Sequence, residues 1–265
     1  MIIDTHCHAG INWFEPVDNL LFKMRENNVG KAVIIQHSGS GNNYLFKCLE
    51  DYPEKFRIFP IINWDSNKII SLQDVMNKGA SGIRIYLNYN EIFEKEGIDF
   101  CNLAGDLGLS LSVAGSLDQF SSIEFNNLVR ECKETKFIIE HLADVGNYIK
   151  SRDKKIVNDG LSMFKSFLEI SDFDNAYVKI PGLGELSNRP QLLSDKYPFN
   201  KDNLGLIKLT LDSFGSEHLM WGSDFPPVSN REGYSNALNG IKNLDFLSNI
   251  DKKNLFTKVP ERLFF

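Results

Sequence analysis

The sequence predicts an α/β fold, a closed parallel (β/α)8 or TIM barrel forming a single domain over residues 1–265. Three observations predict it. Eight short apolar runs of strand character alternate with stretches of helical periodicity. The first run begins at Ile2 and the eighth at His218, so seven intervals span 216 residues, about 31 each, which suits a βα unit. No linker rich in Pro, Gly and Ser divides the chain. A doubly wound open sheet is the structural alternative, and the missing Gly-x-Gly-x-x-Gly after the first strand weakens it.

Each element has its own signal. Ile2 to His8 is the first strand, apolar at its start and ending in His6-Cys7-His8. Leu20, Leu21 and Met24 give Val17 to Asn27 helical spacing, and Val29 to Gln36 is a buried second strand. Residues 37–43 form a Gly/Ser/Asn loop, followed by a helix from Tyr44 to Tyr52. Phe56 to Asn63 is strand three, Ile69 to Lys78 a short helix, and Ala80 to Leu87 strand four. Phe100 to Leu107 is helical with Gly108 as its stop, and Leu109 to Ala114 is strand five. A helix from Ile123 to Glu134 leads to strand six, Phe137 to Leu142, with His141 near its end. Residues 144–162 are polar and fit no single pattern, and Met163 to Ile170 resumes helix. Asn175 to Pro181 is strand seven, and Asn188 to Pro198 reads as a polar insertion. Leu204 to Phe214 is a helix ended by Gly215, and His218 to Asp224 is strand eight, after which Pro226 and Pro227 stop ladder pairing. Ser235 to Phe265 is helical with an apolar end.

Composition narrows the function classes. An apolar content of 42% and a charged content of 24% are those of a soluble globular protein. The net charge of −6 argues against a nucleic-acid partner, whose footprint would be basic. No apolar run is long enough to span a membrane, and the chain starts on a strand pattern without a secretory leader. The four cysteines, at 7, 48, 101 and 132, include no C-x-x-C pair and read as reduced thiols of a cytoplasmic protein. The expected partner is a small-molecule substrate, and a homodimer is the oligomer left open.

Strand alternation turns Asp4, His6 and His8 to one side and Cys7 to the other. Two imidazoles two residues apart on one face can hold one metal ion. In a (β/α)8 barrel the site lies at the C-terminal ends of the strands, where polar residues collect in this sequence. His6 and His8 end strand one, Arg84 and Tyr86 share a face of strand four, and His141 ends strand six. Lys179 is late in strand seven and Asp224 ends strand eight. Barrel closure sets strand eight beside strand one, so Asp224 is predicted close to the two histidines.

These residues carry a resemblance. Asp4-Thr5-His6-Cys7-His8, Glu140-His141-Leu142-Ala143, the run from Tyr177 to Leu183 and the run from Met220 to Pro226 resemble the amidohydrolase superfamily. The branch is the amidohydrolase-related group that includes sugar-lactone and pyrone-dicarboxylate lactonases and some decarboxylases. The resemblance covers nearly the whole chain. It implies that His6, His8 and Asp224 are metal-site positions and that Asp224 takes a proton from the attacking water. It also implies that His141 lies near the metal or polarises the substrate carbonyl. The sequence departs from the family at strand five, which has no histidine, and at strand four, where Arg84 stands in place of a bridging carboxylate or carbamylated lysine. The implied cofactor is one divalent ion, zinc, in a mononuclear site, with a metal-free site as the alternative.

The reading is a hydrolase that opens a small cyclic ester, with Asp224 and His141 as catalytic residues and His6, His8 and Asp224 as metal ligands. Arg84, Tyr86, Lys179 and Trp64 are the candidate substrate contacts. Each has a plainer reading: Arg84 as a buried ion-pair partner, Lys179 facing away from the site, Tyr86 and Trp64 as aromatic packing. His37 is as readily a surface residue, His218 is structural, and the loop 39–41 lacks the P-loop Lys-Ser/Thr pattern. A metal-dependent decarboxylase on the same barrel, and a non-catalytic binding barrel, are the rival readings. Residues 144–162 and 188–202 are candidate lids or subunit contacts.

Overall fold

The computed structural model describes residues 1–12, 14–65, 67–188 and 203–265. Eight parallel strands form its centre: β1 (Ile2–Cys7), β2 (Val29–Ile35), β3 (Phe56–Phe59), β4 (Gly82–Tyr86), β5 (Ser110–Ala114), β6 (Phe137–Ile139), β7 (Ala176–Ile180) and β8 (Leu219–Trp221). They pair in sequence order as two runs, β1–β3 and β4–β8. Isolated parallel bridges join the runs at both seams, Ile61 to Arg84 and Cys7 to Phe225. Backbone bonds reinforce each seam: Arg84 N–H to the Pro60 carbonyl at 2.9 Å, Asp224 N–H to that of His6 at 2.8 Å, and His8 N–H to that of Phe225 at 2.7 Å. The fold is the (β/α)8 barrel that the spacing predicts.

The connecting helices are α1 (Val17–Glu26), α2 (Asn43–Asp51), α3 (Lys68–Asn77), α4 (Lys95–Asp106), α5 (Ile123–Glu131), α6 (Lys154–Phe167), α7 (Leu204–Phe214) and α8 (Tyr234–Lys242). None among the described residues is long and apolar enough to cross a membrane. All strands but β5 stop one to four residues short of their predicted ends, because ladder pairing ends where the chain turns out into the polar residues of the barrel mouth. Helix α4 starts five residues before Phe100, its first turn being polar. The patternless stretch 144–162 contains the start of α6, where Asp153 caps by accepting Lys155 N–H at 2.8 Å. Of the polar insertion 188–202, only Asn188 lies within the described residues.

Strand parity sorts the core into two. Ala176, Val178 and Ile180 of β7 face the helices, as do Ile83 and Ile85 of β4. Tyr177 faces the barrel axis, where Val33, Ile35, Phe59, Ile138 and Met220 join it and Val259 and Phe264 of the final helix close the floor. Arg57 Nε donates to the Phe264 carbonyl at 3.0 Å, and the Lys31 and Arg57 cations lie 4.4 and 4.6 Å from the centre of the Phe265 ring. Gly82 makes room for Phe59, whose ring a Cβ there would meet at 2.4 Å.

One expectation of parity fails. Asp4 pairs with Ala32 and Cys7 with Ile34, so Thr5 and His6 both stand opposite Val33. This extra residue is a bulge, and it breaks the alternation. Asp4 therefore does not join the histidines. Its carboxylate accepts from Ser223 N–H at 2.9 Å, His6 N–H at 3.1 Å and the Tyr234 hydroxyl at 2.8 Å. It ties β1 to the residues after β8 and to α8. Cys7 faces the outer core as expected, its thiol on the Val33 carbonyl at 3.3 Å.

Candidate active site

At the C-terminal mouth of the barrel three histidines and one aspartate converge. The His6 ring meets His8 edge-on at 4.9 Å and His141 at 4.5 Å between centroids. Asp224 Oδ1 lies 3.3 Å from His8 Nε2 and 3.9 Å from His6 Nε2. One ligand atom from each of His6, His141 and Asp224 lies within 4.8 Å of the other two. The tightest trio thus contains His141 in place of the His8 expected from sequence, with His8 beside it. Gly222 permits the approach of β8 to β1, since a Cβ there would come within 2.5 Å of His6 Cβ.

Below this cluster runs a buried polar chain. Lys179 Nζ is 3.1 Å from His6 Nδ1 and donates to Ser112 Oγ at 2.8 Å, which donates to Glu140 Oε1 at 2.7 Å. Arg84 grips the same carboxylate with Nε and Nη2 at 3.1 and 2.6 Å, and its Nη1 donates to the Gln36 carbonyl at 3.1 Å. Burial opposes ionisation of Glu140, but the Arg84 and Lys179 charges outweigh it and lower its pKa to about 2. Burial lowers Lys179 to about 8 despite the opposing pull of Glu140. Burial, with the Lys179 charge beside it, also holds His6 well below its ordinary value. Lys179 faces the site. Arg84 takes the plainer of its two expected roles, since its planar fork is engaged by Glu140.

The upper rim is anchored from two loops. His141 Nδ1 lies 3.2 Å from Glu185, and Arg231 Nη1 donates to Asp224 Oδ2 at 2.8 Å. Burial disfavours the imidazolium of His141, yet the Glu185 carboxylate prevails and raises its pKa to about 9. Burial would raise Asp224, but the charges of His141 and Arg231 hold it well below the carboxylate range. The backbone here is unusual. His141, Leu142, Ala143 and Asp144 all have φ between 51° and 60°, and Asp224 has φ 56°. Non-glycine residues enter this left-handed region at a cost of about 1–2 kcal/mol each.

Arg84, Tyr86, Asn88, Gln119, His141 and Asp144 are among the residues lining a cavity of about 370 Å³ beside the cluster. The Tyr86 hydroxyl accepts Ser38 N–H at 3.1 Å. His37 and Ser38 line a second cavity of about 420 Å³ with the loop 39–41. Phe14 stacks on His8 at 4.5 Å. Trp64 is placed as packing: it stacks on Tyr89 at 5.8 Å and meets Phe100 edge-on at 4.9 Å. His218 stacks on Tyr177 and bonds the Ala176 carbonyl at 3.0 Å, a structural position.

Residues 3–265 match the amidohydrolase family. The chain belongs to that family. No curated protein matches the sequence. Among solved structures, a probable 2-pyrone-4,6-dicarboxylic acid hydrolase from Acinetobacter baumannii shares the fold with a TM-score of 0.76 at 17% identity, covering 99% of this chain and 98% of that one. A zinc-bound amidohydrolase from Burkholderia multivorans gives 0.78 at 14%, with coverage of 99% and 98%. The 5-carboxyvanillate decarboxylase of Sphingomonas paucimobilis gives 0.66 at 10%, with coverage of 99% and 98%. Family membership makes the chain an enzyme of hydrolase type and leaves its reaction open.

The amidohydrolase site has the donor chemistry for a cation. His8 Nδ1 lies 2.7 Å from the Ile35 carbonyl, which can only accept, so that nitrogen carries the proton. Burial lowers the pKa of His8 and favours the neutral ring. A neutral His8 turns the lone pair of Nε2 toward the Asp224 carboxylate, an arrangement that a positive ion between them would relieve. His6 Nε2 is buried with no hydrogen-bond partner among the described residues. Glu185 orients His141 as a carboxylate orients a metal-binding imidazole. Glu140, Glu185, Arg231 and Ser112 were not singled out from the sequence. The available signal was weak: Glu140 precedes His141 at the end of an apolar run, whereas Glu185 and Arg231 lie in loops without periodicity.

Proposed function

We propose that this chain opens a small lactone, with Asp224 as general base and His6, His8, His141 and Asp224 able to hold one divalent ion, zinc by the choice of nitrogen and oxygen donors. A bound zinc ion would supply Lewis-acid polarisation of the ester carbonyl and a more acidic water. The protein's own groups set the rest. Asp224 is ionised throughout the working pH range, and its low pKa makes it a weak base except toward an acidified water. Without the ion, His141, carrying a proton and steadied by Glu185, is placed to donate to the carbonyl oxygen as charge develops there; with the ion bound, that Nε2 proton would be lost and the ring would serve as a ligand.

The observation that favours a lactone is the pairing of Arg84 with Glu140. A decarboxylase substrate, or a dicarboxylated lactone, brings a carboxylate that needs an available cation. Arg84 is neutralised within the wall of the cavity, whose polar lining also includes Tyr86, Asn88, Gln119, Asp144 and His141, the last already paired with Glu185. Such a lining suits a neutral, hydroxyl-bearing ring, such as a sugar lactone. Tyr86 is the substrate contact we retain, and Lys179 acts from beneath through His6 and Ser112.

The test is a panel of sugar lactones, carboxylated lactones and aromatic carboxylic acids, followed by proton release and by carbon dioxide release. Lactone opening that falls about 10³-fold or more in Asp224→Asn, with ligand binding kept, supports the reading. Carbon dioxide release without lactone opening would replace it with the decarboxylase, and binding without turnover of any compound would replace it with the binding barrel.

A further inference from the structure

Arg231 follows the short turn Pro227–Asn230 that leads away from β8. Its guanidinium meets three carboxylates: Nη1 with Asp224 Oδ2 at 2.8 Å, Nη2 with Glu185 Oε2 at 3.4 Å, and Nε with Glu232 Oε2 at 3.5 Å. Glu232 is itself fixed, since its Oε1 accepts Gly184 N–H at 3.0 Å. Glu185 in turn bonds His141 Nδ1. We propose that Arg231 is the positioning residue of this site: seated on Glu232, one guanidinium orients Asp224 directly and His141 through Glu185. The inference rests on the reading above in taking Asp224 and His141 as the working groups.

The geometry gives the reason. With Oδ2 bonded to Arg231, the Asp224 carboxylate is steadied with Oδ1 toward His6 and His8. The other edge of the fork attracts Glu185 by charge at 3.4 Å, without a hydrogen bond, on the side where that carboxylate accepts from the imidazole, which turns the opposite ring nitrogen of His141 away from Glu185. A planar fork with separate N–H edges can serve two carboxylates at fixed angles, whereas a lysine ammonium is a single point of charge. Arg231 therefore couples the strand-eight and strand-six groups, which the barrel itself holds on strands that are not neighbours.

The experiment uses the whole chain, with Arg231→Lys and Glu185→Gln made singly and together. Zinc affinity is read by chelator competition, coordination by the cobalt(II) absorption spectrum, and the His141 Nδ1 proton by NMR of metal-free protein. The urea midpoint controls for the fold, and Glu185→Gln carries the test should Arg231→Lys be unstable. Each single variant is expected to weaken zinc binding by about 10–100-fold, alter the cobalt spectrum and remove the slowly exchanging Nδ1 proton. The double variant is expected to be little worse than Arg231→Lys alone, because that change already disturbs the Glu185 arm together with Asp224. Zinc affinity, cobalt spectrum and Nδ1 proton all unchanged in Arg231→Lys would overturn the proposal, as would full additivity of the two changes. Should the wild-type protein take up neither metal, the metal reading fails and the Nδ1 proton alone decides: its loss in Arg231→Lys supports the positioning role and its persistence refutes it.

Discussion

On β7, Tyr177 lies among Phe59, Met220 and the terminal Phe264, whereas Lys179, two residues further on, lies between His6 and Ser112. Ile138 of β6 is in the same apolar floor, and Glu140, the residue after that strand, is in the polar chain above it. One pleat repeat, about 7 Å along each strand, separates dispersion packing from a lattice of paired charges. The floor is stabilised by removing apolar surface from water, which tolerates exchange among residues of similar volume. The upper layer is stable only while its charges remain matched. The same backbone therefore carries a permissive half and an exacting half, and the chemistry belongs to the exacting one.

That contrast can be broken by substitution. Phe59→Ala in the floor and Glu140→Leu in the upper layer should each cost about 3–5 kcal/mol, read from urea unfolding. Adding Arg84→Met to Glu140→Leu should return at least half of the loss, because the uncompensated buried cation goes with it. No second floor substitution of that kind would rescue Phe59→Ala. A double variant as unstable as Glu140→Leu alone would show that the two halves obey the same rule. Acid sharpens the same distinction. Glu140 is held near 2 against an ordinary 4.5, so its contribution is complete above pH 4.5 and is lost as pH falls toward 2. Stability should fall less steeply below pH 4.5 in Glu140→Gln than in the wild type, and Phe59→Ala should keep the wild-type slope.

A smaller effect is expected at the seam. Gly222→Ala forces a methyl against His6 and should cost about 1–3 kcal/mol, with His6 displaced in a crystal structure of the variant. The smallest is in the left-handed run. Ala143→Gly relieves a backbone at φ 56° and should be neutral or stabilising by up to about 1 kcal/mol, whereas Ala104→Gly inside α4 should destabilise by a similar amount. Equal losses at both alanines would remove the argument for strain at the rim.

The barrel was legible in the sequence because eight apolar runs at βα spacing leave few other closed arrangements. His6, His8, His141 and Asp224 were legible because residue type and strand end coincide, and the barrel's closure brings residues 6 and 224 together without further information. What escaped the sequence has specific causes. The bulge at Thr5 and His6 has no residue signature, so Asp4 was assigned to the wrong face. Glu140 reads as part of the β6 run, and only the parity of β4 and β5 reveals that Arg84 and Ser112 reach it. Arg231 and Glu185 act from loops, where side-chain direction does not follow a period. Trp64 follows β3 as a pocket residue would, yet the aromatic neighbours Tyr89 and Phe100 take its ring.

The left-handed backbone at His141 and Asp224 also bears on how such a protein can be improved. Glycine or asparagine at either position would relieve that backbone, yet each would leave Arg231 or Glu185 without its partner, so the relief of strain and the loss of charge matching oppose each other. A library screened only for survival after heating would thus be expected to leave those two strained positions unchanged and to find its gains elsewhere in the fold.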